Sequence, residues 1–152
     1  NSGQIEDTGA VVSVRANAWD LDNCSRDGCS PELTRDKNLD NSSRWSCQYN
    51  LAQETCKIWY SFDEGPRSIA GIRIKFFEGE ERTYRFKFIA YDGDSEQFDN
   101  TFTSTMSSLL GDGYENFNFK GNPYKSDSFS LEAVDLENSE WLGIIETMII
   151  SP

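Results

Sequence analysis

The sequence predicts an all-β fold, a β-sandwich of the jelly-roll type, and three observations carry that prediction. Apolar and polar residues alternate with a period of two along many short segments, as in strands that bury one face. Turn residues separate these segments, for example Glu-Gly-Pro at 64–66 and Asp-Gly-Asp at 92–94. Aromatic residues make up 13% of the chain, a composition that favours strands over helices. Many short strands with frequent turns are typical of sandwiches.

The alternation also places the individual strands. After an early strand near Val14, strands are predicted over 56–63, 70–77 and 84–91, and 141–150 has the pattern of a last, more buried strand. Only 103–110 could form a short helix. The residues expected to face the core are Val12, Val14, Ala16, Ile58, Tyr60, Phe62, Ile72, Ile74, Phe76, Tyr84, Phe86, Phe88, Ala90, Phe117, Phe119, Phe129, Leu131 and Ala133.

Length and charge limit the functions that this chain could have. Its 152 residues predict a single domain over 1–152. A net charge of -12 argues against non-specific nucleic-acid binding and against adhesion to anionic membranes. No run of 18 apolar residues occurs, so membrane insertion is not expected. The chain opens without Met and without a visible signal peptide, which is compatible with a trimmed piece of a larger protein.

The four cysteines are Cys24, Cys29, Cys47 and Cys56. Four cysteines allow three pairings, and the sequence cannot choose among them, although pairing of sequence neighbours is the simplest. Zinc would require tighter spacing or histidines, and the chain has no His. We therefore expect disulfides, which imply an oxidising compartment and a secreted or cell-surface location.

The stretch 36–46 is the most informative part of the chain. Asp36, Asn38 and Asp40 alternate in it, and oxygen-rich side chains in such a loop can converge on a hard cation such as calcium. The glycine and distal glutamate of an EF-hand loop are missing, which excludes that motif. The Arg-Trp pair that follows offers hydrogen-bond donors and a flat apolar face, both useful for holding a sugar. The stretch belongs to a long strand-poor segment, 17–50, and such segments are usually functional or disordered.

Two successive strands carry outward-facing cations. Arg73 and Lys75 lie on the first strand and Arg85 and Lys87 on the second. The short turn between the strands predicts an antiparallel pair with all four cations on one face. Such a face would suit an anionic glycan, because guanidinium groups bind carboxylates and sulfates and a Trp can stack on a sugar. The alternative is a solvated face on which the cations pair with nearby acids. The predicted carbohydrate-binding residues are Trp59, Arg73, Lys75, Arg82, Arg85, Lys87, Arg44 and Trp19.

The sugar could instead bind to loops at one end of the sandwich, since loops on a rigid scaffold commonly carry function. The candidates there are Trp19, Arg44, Trp45, Asn138 and Trp141. For Trp45, packing into the end of the sandwich is the better-supported interpretation.

No catalytic constellation is visible, and the chain is not expected to be an enzyme. The lack of His excludes Ser-His-Asp and Cys-His arrangements, and no spacing singles out a carboxylate pair for glycoside hydrolysis. A polysaccharide lyase that uses Tyr60, Tyr84 or Tyr91 with a neighbouring cation is the enzymatic alternative.

Several motifs in order resemble a known family. They are D-x-N-x-D-x-x-S-R-W-S at 36–46, KIWYSF at 57–62, a strand-turn-Arg unit at 72–83, YDGD at 91–94 and WLGIIETMII at 141–150. Together they resemble the discoidin-like (coagulation factor 5/8 C-type) jelly rolls, and most closely the family-32-like carbohydrate-binding modules found beside alginate lyases. The resemblance covers about residues 33–150. It implies a galactose-binding-domain-like sandwich with lectin-like, non-catalytic recognition of a polysaccharide, with an alginate-like or sulfated glycan preferred. Since discoidin-like domains also bind proteins, a cell-surface adhesion domain is a further alternative.

The resemblance also implies a structural calcium ion between the N-terminal loop and the last strand. Its side-chain ligands would be Asp36 and Glu146, one at each end of the site. Further oxygens would come from Arg35, Asn38, Ser43 and the carbonyl group of Thr147. Lys37 departs from the family pattern, which has Asn or Gly at that position.

Overall fold

The computed structural model describes residues 12–17, 24, 28–40, 42–48, 56–78, 83–104, 113–119, 124–134 and 141–150. Its one described helix is a 3-10 helix at Pro31–Arg35, which lies between the first two strands. The strands, in chain order, are β1 (Val12–Ala16), β2 (Trp45–Gln48), β3 (Lys57–Phe62), β4 (Arg67–Ile69), β5 (Gly71–Phe76), β6 (Arg85–Asp92), β7 (Ser95–Thr103), β8 (Glu115–Asn118), β9 (Tyr124–Ser126), β10 (Ser128–Ala133) and β11 (Trp141–Ile150).

Two antiparallel sheets form a sandwich, which confirms the predicted all-β jelly roll. One sheet has five strands in the order β1-β3-β10-β6-β7, and the other has four in the order β2-β11-β5-β8. A two-stranded ribbon of β4 and β9 accompanies them. Inward-facing residues of both sheets join in one buried cluster, as the period-two pattern requires. Within the described ranges, no helix is long and apolar enough to cross a membrane.

Aromatic rings from both sheets fill the core. Phe76 of β5 stacks on Tyr84 with ring centroids 4.9 Å apart, and Phe86 of β6 meets Phe117 of β8 edge to face at 5.0 Å. Contacts of this kind stabilise a core beyond the area that they bury. The predicted core residues of β3, β5, β6 and β10 are all buried.

The predicted pairing of β5 with β6 is wrong, and the predicted four-cation face is therefore wrong as well. β5 pairs with β8 and β11, whereas β6 pairs with β7 and β10. The two strands face each other across the core, with the Phe76 and Phe86 rings 6.1 Å apart. Arg73 and Lys75 consequently point out of one side of the sandwich, and Arg85 and Lys87 point out of the opposite side. A hairpin and a crossover would both bury the apolar faces of these strands, so the alternation did not distinguish the two arrangements.

Some strands of the structure were not predicted from the sequence pattern. β7 forms a hairpin with β6 through Gly93, whose φ of 62° suits glycine. Asn100 interrupts its inward apolar series, so the alternation is incomplete. β2 lies inside the segment expected to be poor in strands, and β4 and β9 have three residues each. The predicted helix at 103–110 falls almost wholly outside the described residues, and β7 extends to its first position.

Two disulfides pair sequence neighbours, the simplest of the three possibilities. Cys24 bonds to Cys29, and Cys47 bonds to Cys56 with a Cα–Cα distance of 5.9 Å. The second bond joins β2 of the four-stranded sheet to the residue before β3 of the five-stranded sheet. It therefore connects the two layers covalently.

Candidate functional site

The loop that follows the 3-10 helix runs along the edge of β11. β2 pairs with β11 only over 141–144. Beyond that point the helix end and the loop occupy the edge: Arg35 Nη1 donates to the Thr147 carbonyl oxygen at 2.8 Å, and the Lys37 amide donates to both Glu146 carboxylate oxygens at 3.2 and 3.3 Å. The family resemblance implied that this loop meets the last strand at Glu146, and these contacts agree with that implication.

Side chains within the loop hold its shape. The Asn38 amide donates to Asp36 Oδ1 at 2.9 Å, and the Asp40 amide donates to Asn38 Oδ1 at 3.1 Å. Such contacts to the backbone two residues ahead are typical of Asx turns. Lys37 between them has a φ of 65°, a conformation that Gly and Asn adopt more easily than Lys. This positive φ gives a physical reason for the Asn or Gly of the family pattern.

The carboxyl groups of Asp36, in the loop, and of Glu146, on β11, lie close together where the loop meets the strand. Glu146 is 2% exposed and lies on the outer side of its strand. Ser43, also buried, donates its hydroxyl to Asp36 Oδ2. Burial, followed by the charge of Asp36, raises the pKa of Glu146 to about 8, against the opposing effects of the Lys37 amide and the Arg35 guanidinium. A cation between the carboxylates would offset this unfavourable arrangement.

The remaining oxygens at this position suit a hard cation. Hydroxyl, carbonyl and carboxylate oxygens are the ligands that calcium prefers. In the part of the chain that the structure describes, no group of three or more His, Cys, Asp or Glu side chains is placed to hold a metal. Two carboxylates would therefore need Ser43, Asn38 or backbone carbonyl oxygens to complete a site. The Thr147 carbonyl already accepts one hydrogen bond from Arg35, and a carbonyl oxygen has a second lone pair.

A buried polar network connects this region to the opposite sheet. Thr34 of the 3-10 helix donates to the Pro31 carbonyl oxygen at 2.8 Å, and its hydroxyl lies 2.8 Å from Tyr60 Oη on β3. With that donation made, Tyr60 is the donor of the second bond. Burial raises the pKa of Tyr60 to about 12, so its hydroxyl stays protonated. The period-two pattern had placed Tyr60 in the core without indicating its polar partners.

The outer face of the five-stranded sheet carries a second candidate site around Trp59. The Arg15 guanidinium carbon lies 4.2 Å from the centroid of the Trp59 ring, and Lys57 Nζ lies 5.1 Å from it. Arg15 and Trp59 are register partners on β1 and β3. Lys57 Nζ also lies 3.5 Å from Tyr91 Oη, which in turn is 3.4 Å from Ser130 Oγ. Tyr91 of β6 thus reaches across β10 towards β3.

The other predicted cations on this sheet make contacts with its edge strand. Lys87 Nζ lies 4.0 Å from Asp99 Oδ2, and Arg85 Nε donates to Thr103 Oγ1 at 3.2 Å. Both partners belong to β7, which the sequence had not predicted. Lys87 therefore has the acidic partner expected of a solvated face. Neither Arg15 nor Tyr91 was among the predicted binding residues, because the outward direction of one strand does not show what lies on its neighbour.

The cations of the four-stranded sheet lie apart from the Trp59 region. Arg73 is stacked on the Tyr114 ring at 4.8 Å, and Lys75 is the register partner of Glu146.

The loop-end candidates are only partly described. Trp45 is fully buried in the core, which confirms the packing interpretation. The Arg44 guanidinium lies 4.0 Å from the centroid of the Phe77 ring. Trp19, Arg82 and Asn138, as well as the side chain of Trp141, lie outside the described residues.

The three tyrosines of the lyase alternative differ in their access to solvent. Tyr60 and Tyr84 are each 1% exposed, whereas Tyr91 is partly exposed. A substrate on the surface could reach only Tyr91 of these three.

Solved structures of sugar-binding modules share this architecture. The "CBM32 of AlyQ in complex with 4,5-unsaturated mannuronic acid" superposes with a TM-score of 0.72 at 19% identity, over 98% of this chain and 100% of that one. The chain has the fold of the family-32 carbohydrate-binding modules. A pectin-binding carbohydrate-binding module gives a TM-score of 0.71 at 21% identity, over 97% and 91% of the two chains. The family-32 module of NanJ from C. perfringens, in complex with galactose, gives 0.63 at 14% identity, over 91% and 92%.

No protein-family model matches the sequence, and no curated protein matches it. The likeness to family-32 modules is therefore one of fold, and it confirms the resemblance at that level.

Proposed function

We propose that this domain is a non-catalytic carbohydrate-binding module that recognises an anionic polysaccharide. The observation that carries the proposal is the fold shared, over nearly the whole chain, with modules described with mannuronic acid, pectin and galactose. Two disulfides support a secreted or cell-surface location, where polysaccharides occur.

The preference for an anionic glycan rests on local charge. The chain as a whole carries -12, which repels polyanions. On the outer face of the five-stranded sheet, however, Arg15 and Lys57 both lie against the ring of Trp59. Cations bind carboxylates and sulfates through charge-assisted hydrogen bonds, whereas a neutral sugar would need neither charge.

We further propose that a structural calcium ion holds the 36–43 loop against β11. Asp36 and Glu146 would supply its carboxylate oxygens, while Ser43 and Asn38 would supply neutral oxygens. When bound, the ion would neutralise the two carboxylates and hold the 36–43 loop against β11. The proximity of the two carboxylates and the hydrogen bonds that already shape the loop support this role.

Isothermal titration calorimetry against alginate, a sulfated galactan and free galactose, each with and without calcium, tests the proposal. We expect heat of binding with at least one of the polyanions and none with galactose. Binding to galactose alone would contradict the anionic preference. No heat of binding with any of the three ligands would contradict glycan binding and favour the adhesion or protein-binding alternative.

A parallel assay separates binding from lysis. Incubation with alginate should leave the absorbance of unsaturated sugars unchanged, because a module without a catalytic constellation cannot eliminate the glycosidic bond. A steady rise that disappears in Tyr91→Phe would instead establish the lyase alternative.

A further inference from the structure

We infer that the anionic group of the polysaccharide binds on the Trp59 face, which we define as Arg15, Lys57, Trp59, Tyr91 and Ser130. This inference rests on the proposed function and adds the location and chemistry of the site. The face lies on the outer side of the five-stranded sheet, where β1, β3, β10 and β6 run side by side. It replaces the four-cation face that the sequence predicted.

Arg15 is the first recognition group. It is exposed, and its guanidinium lies 4.2 Å from the centroid of the Trp59 ring. A guanidinium that rests on an aromatic ring is oriented by the cation–π interaction, while its N–H donors can still point outward in the guanidinium plane. Such a group is ready to form two parallel hydrogen bonds with a carboxylate or a sulfate. Less conformational freedom is then lost when the anion binds.

Lys57 adds a second positive charge beside the same ring. Its ammonium group lies 5.1 Å from the Trp59 centroid and 3.5 Å from Tyr91 Oη. Two cations near one ring repel each other, and an anion between them would relieve that repulsion. The Tyr91 hydroxyl offers a neutral group that can donate to a sugar oxygen or accept from a sugar hydroxyl.

Ser130 provides the room that these groups need. It is fully buried, although strand alternation directs it outward, and Tyr91 Oη lies 3.4 Å from its Oγ. A larger residue at this central position would push Tyr91 away from Lys57. The small side chain on β10 thus lets groups from β3 and β6 approach each other across the intervening strand.

Acidic residues also border this face. Asp63, directly after β3, accepts a hydrogen bond from Ser13 Oγ on β1 at 2.8 Å. Asp99 is on the far edge strand β7 and pairs with Lys87, and Glu132 on β10 lies in register between Lys57 and Lys87. The Arg15 guanidinium and the Lys57 ammonium group nevertheless both lie against the Trp59 ring, so two cations converge where β1 meets β3. Charge complementarity between these two cations and a carboxylate or sulfate favours an anionic chain at that edge.

The test compares variants of the two opposite faces. Arg15→Ala and Trp59→Ala are titrated with alginate and with a sulfated galactan, alongside Arg73→Ala/Lys75→Ala, which removes two cations from the other sheet. Arg15→Lys retains the charge but loses the planar group. Thermal unfolding of each variant checks that it folds, which we expect because Arg15 and Trp59 point away from the core.

We expect Arg15→Ala and Trp59→Ala each to weaken binding about tenfold or more, as the loss of a charge-assisted contact would. Arg15→Lys should fall between them and the wild type, and the Arg73/Lys75 variant should bind like the wild type. The inference holds for whichever of the two polyanions binds in this way, and comparing them tells whether the face takes carboxylate or sulfate. Unchanged binding in folded Arg15 and Trp59 variants would overturn the site while leaving the proposed function intact. No binding by the wild-type domain would overturn both.

Discussion

Lys37 is in an unfavourable backbone conformation for its residue type. Its φ of 65° lies in the left-handed region, which costs a non-glycine residue about 1–2 kcal/mol. Asn tolerates this region better, because its short polar side chain can bond locally. We therefore expect Lys37→Asn to raise the free energy of unfolding by about 0.5–1 kcal/mol, measured by urea denaturation. Lys125→Asn, at an exposed position on β9, serves as the control and should not stabilise the protein. A loss of stability in Lys37→Asn would show that the lysine makes a contact that outweighs the backbone cost.

Glu146 is the residue on which the calcium proposal depends most directly. Without a cation, the pKa of about 8 keeps the Glu146 carboxyl group largely protonated at pH 7. Glu146→Gln then replaces one neutral group by another, so its melting temperature in chelator should be close to that of the wild type. With calcium, the wild type should melt at a higher temperature than in chelator, whereas the variant should respond little. Differential scanning calorimetry in both buffers measures these four values. Glu132→Gln, on the outer face of the other sheet, should keep the full calcium response.

The same calorimetric comparison can contradict the proposal. A wild-type melting temperature that is identical in calcium and in chelator would show that the loop needs no cation. An undiminished calcium response in Glu146→Gln would place the ion elsewhere.

At the level of single residues, the resemblance implied that the loop meets the last strand, but nothing in the sequence indicated the contacts that support the loop. Asp36 and Glu146 were predicted to meet, and the Lys37 amide does bond to the Glu146 carboxylate. The link between Thr34 and Tyr60 was not predicted, because hydroxyl pairs between distant segments leave no periodic signal. Arg15 was missed for a related reason: its partnership with Trp59 depends on strand register, which alternation alone does not determine.

The 3-10 helix Pro31–Arg35 is held to the sandwich through Thr34. Replacement by Val keeps the side-chain shape but leaves the Pro31 carbonyl without its hydroxyl donor and Tyr60 without one of its partners. We expect a loss of about 1–3 kcal/mol in the free energy of unfolding, measured by urea denaturation. Thr101→Val, exposed on β7, should change stability by less than about 0.5 kcal/mol. Equal effects of the two substitutions would contradict the anchoring role of Thr34.

The two disulfides should differ in their effects. Cys47–Cys56 connects β2 to the start of β3, is buried and closes the longer segment, with a sequence separation of 9 against 5 for Cys24–Cys29. We expect replacement of Cys47 and Cys56 by Ala to cost about 2–4 kcal/mol, and replacement of the other pair to cost less. Urea denaturation of both double variants compares them. A larger loss from the Cys24/Cys29 variant would show that the irregular loop, rather than the contact between sheets, limits stability.

At the level of elements, the sequence placed the strands better than their partners. Period-two alternation located β3, β5, β6 and β10 because each buries one face of aromatic or branched residues. It could not show whether successive strands form a hairpin or cross to the other sheet, since both arrangements bury the same residues. β7 escaped detection because an edge strand that is exposed over much of its length needs few apolar residues.

For the whole molecule, the fold class followed from composition and turns, and the sugar-binding interpretation followed from motif resemblance. The position of the positive charge followed from neither. Four outward cations in two strands predicted one face, and the sandwich topology divided them between opposite faces. The cationic edge at β1 and β3 emerges only when the first strand of the chain is placed beside the third.

The most direct test of the account is the affinity of the calcium-loaded wild-type domain for alginate, measured by calorimetry over a series of sodium chloride concentrations. Recognition of an anionic chain by cations on the surface predicts saturable binding that weakens steadily as salt screens the charges. Binding that is absent at low salt, or that does not change with salt, would contradict recognition of an anionic polysaccharide by this domain.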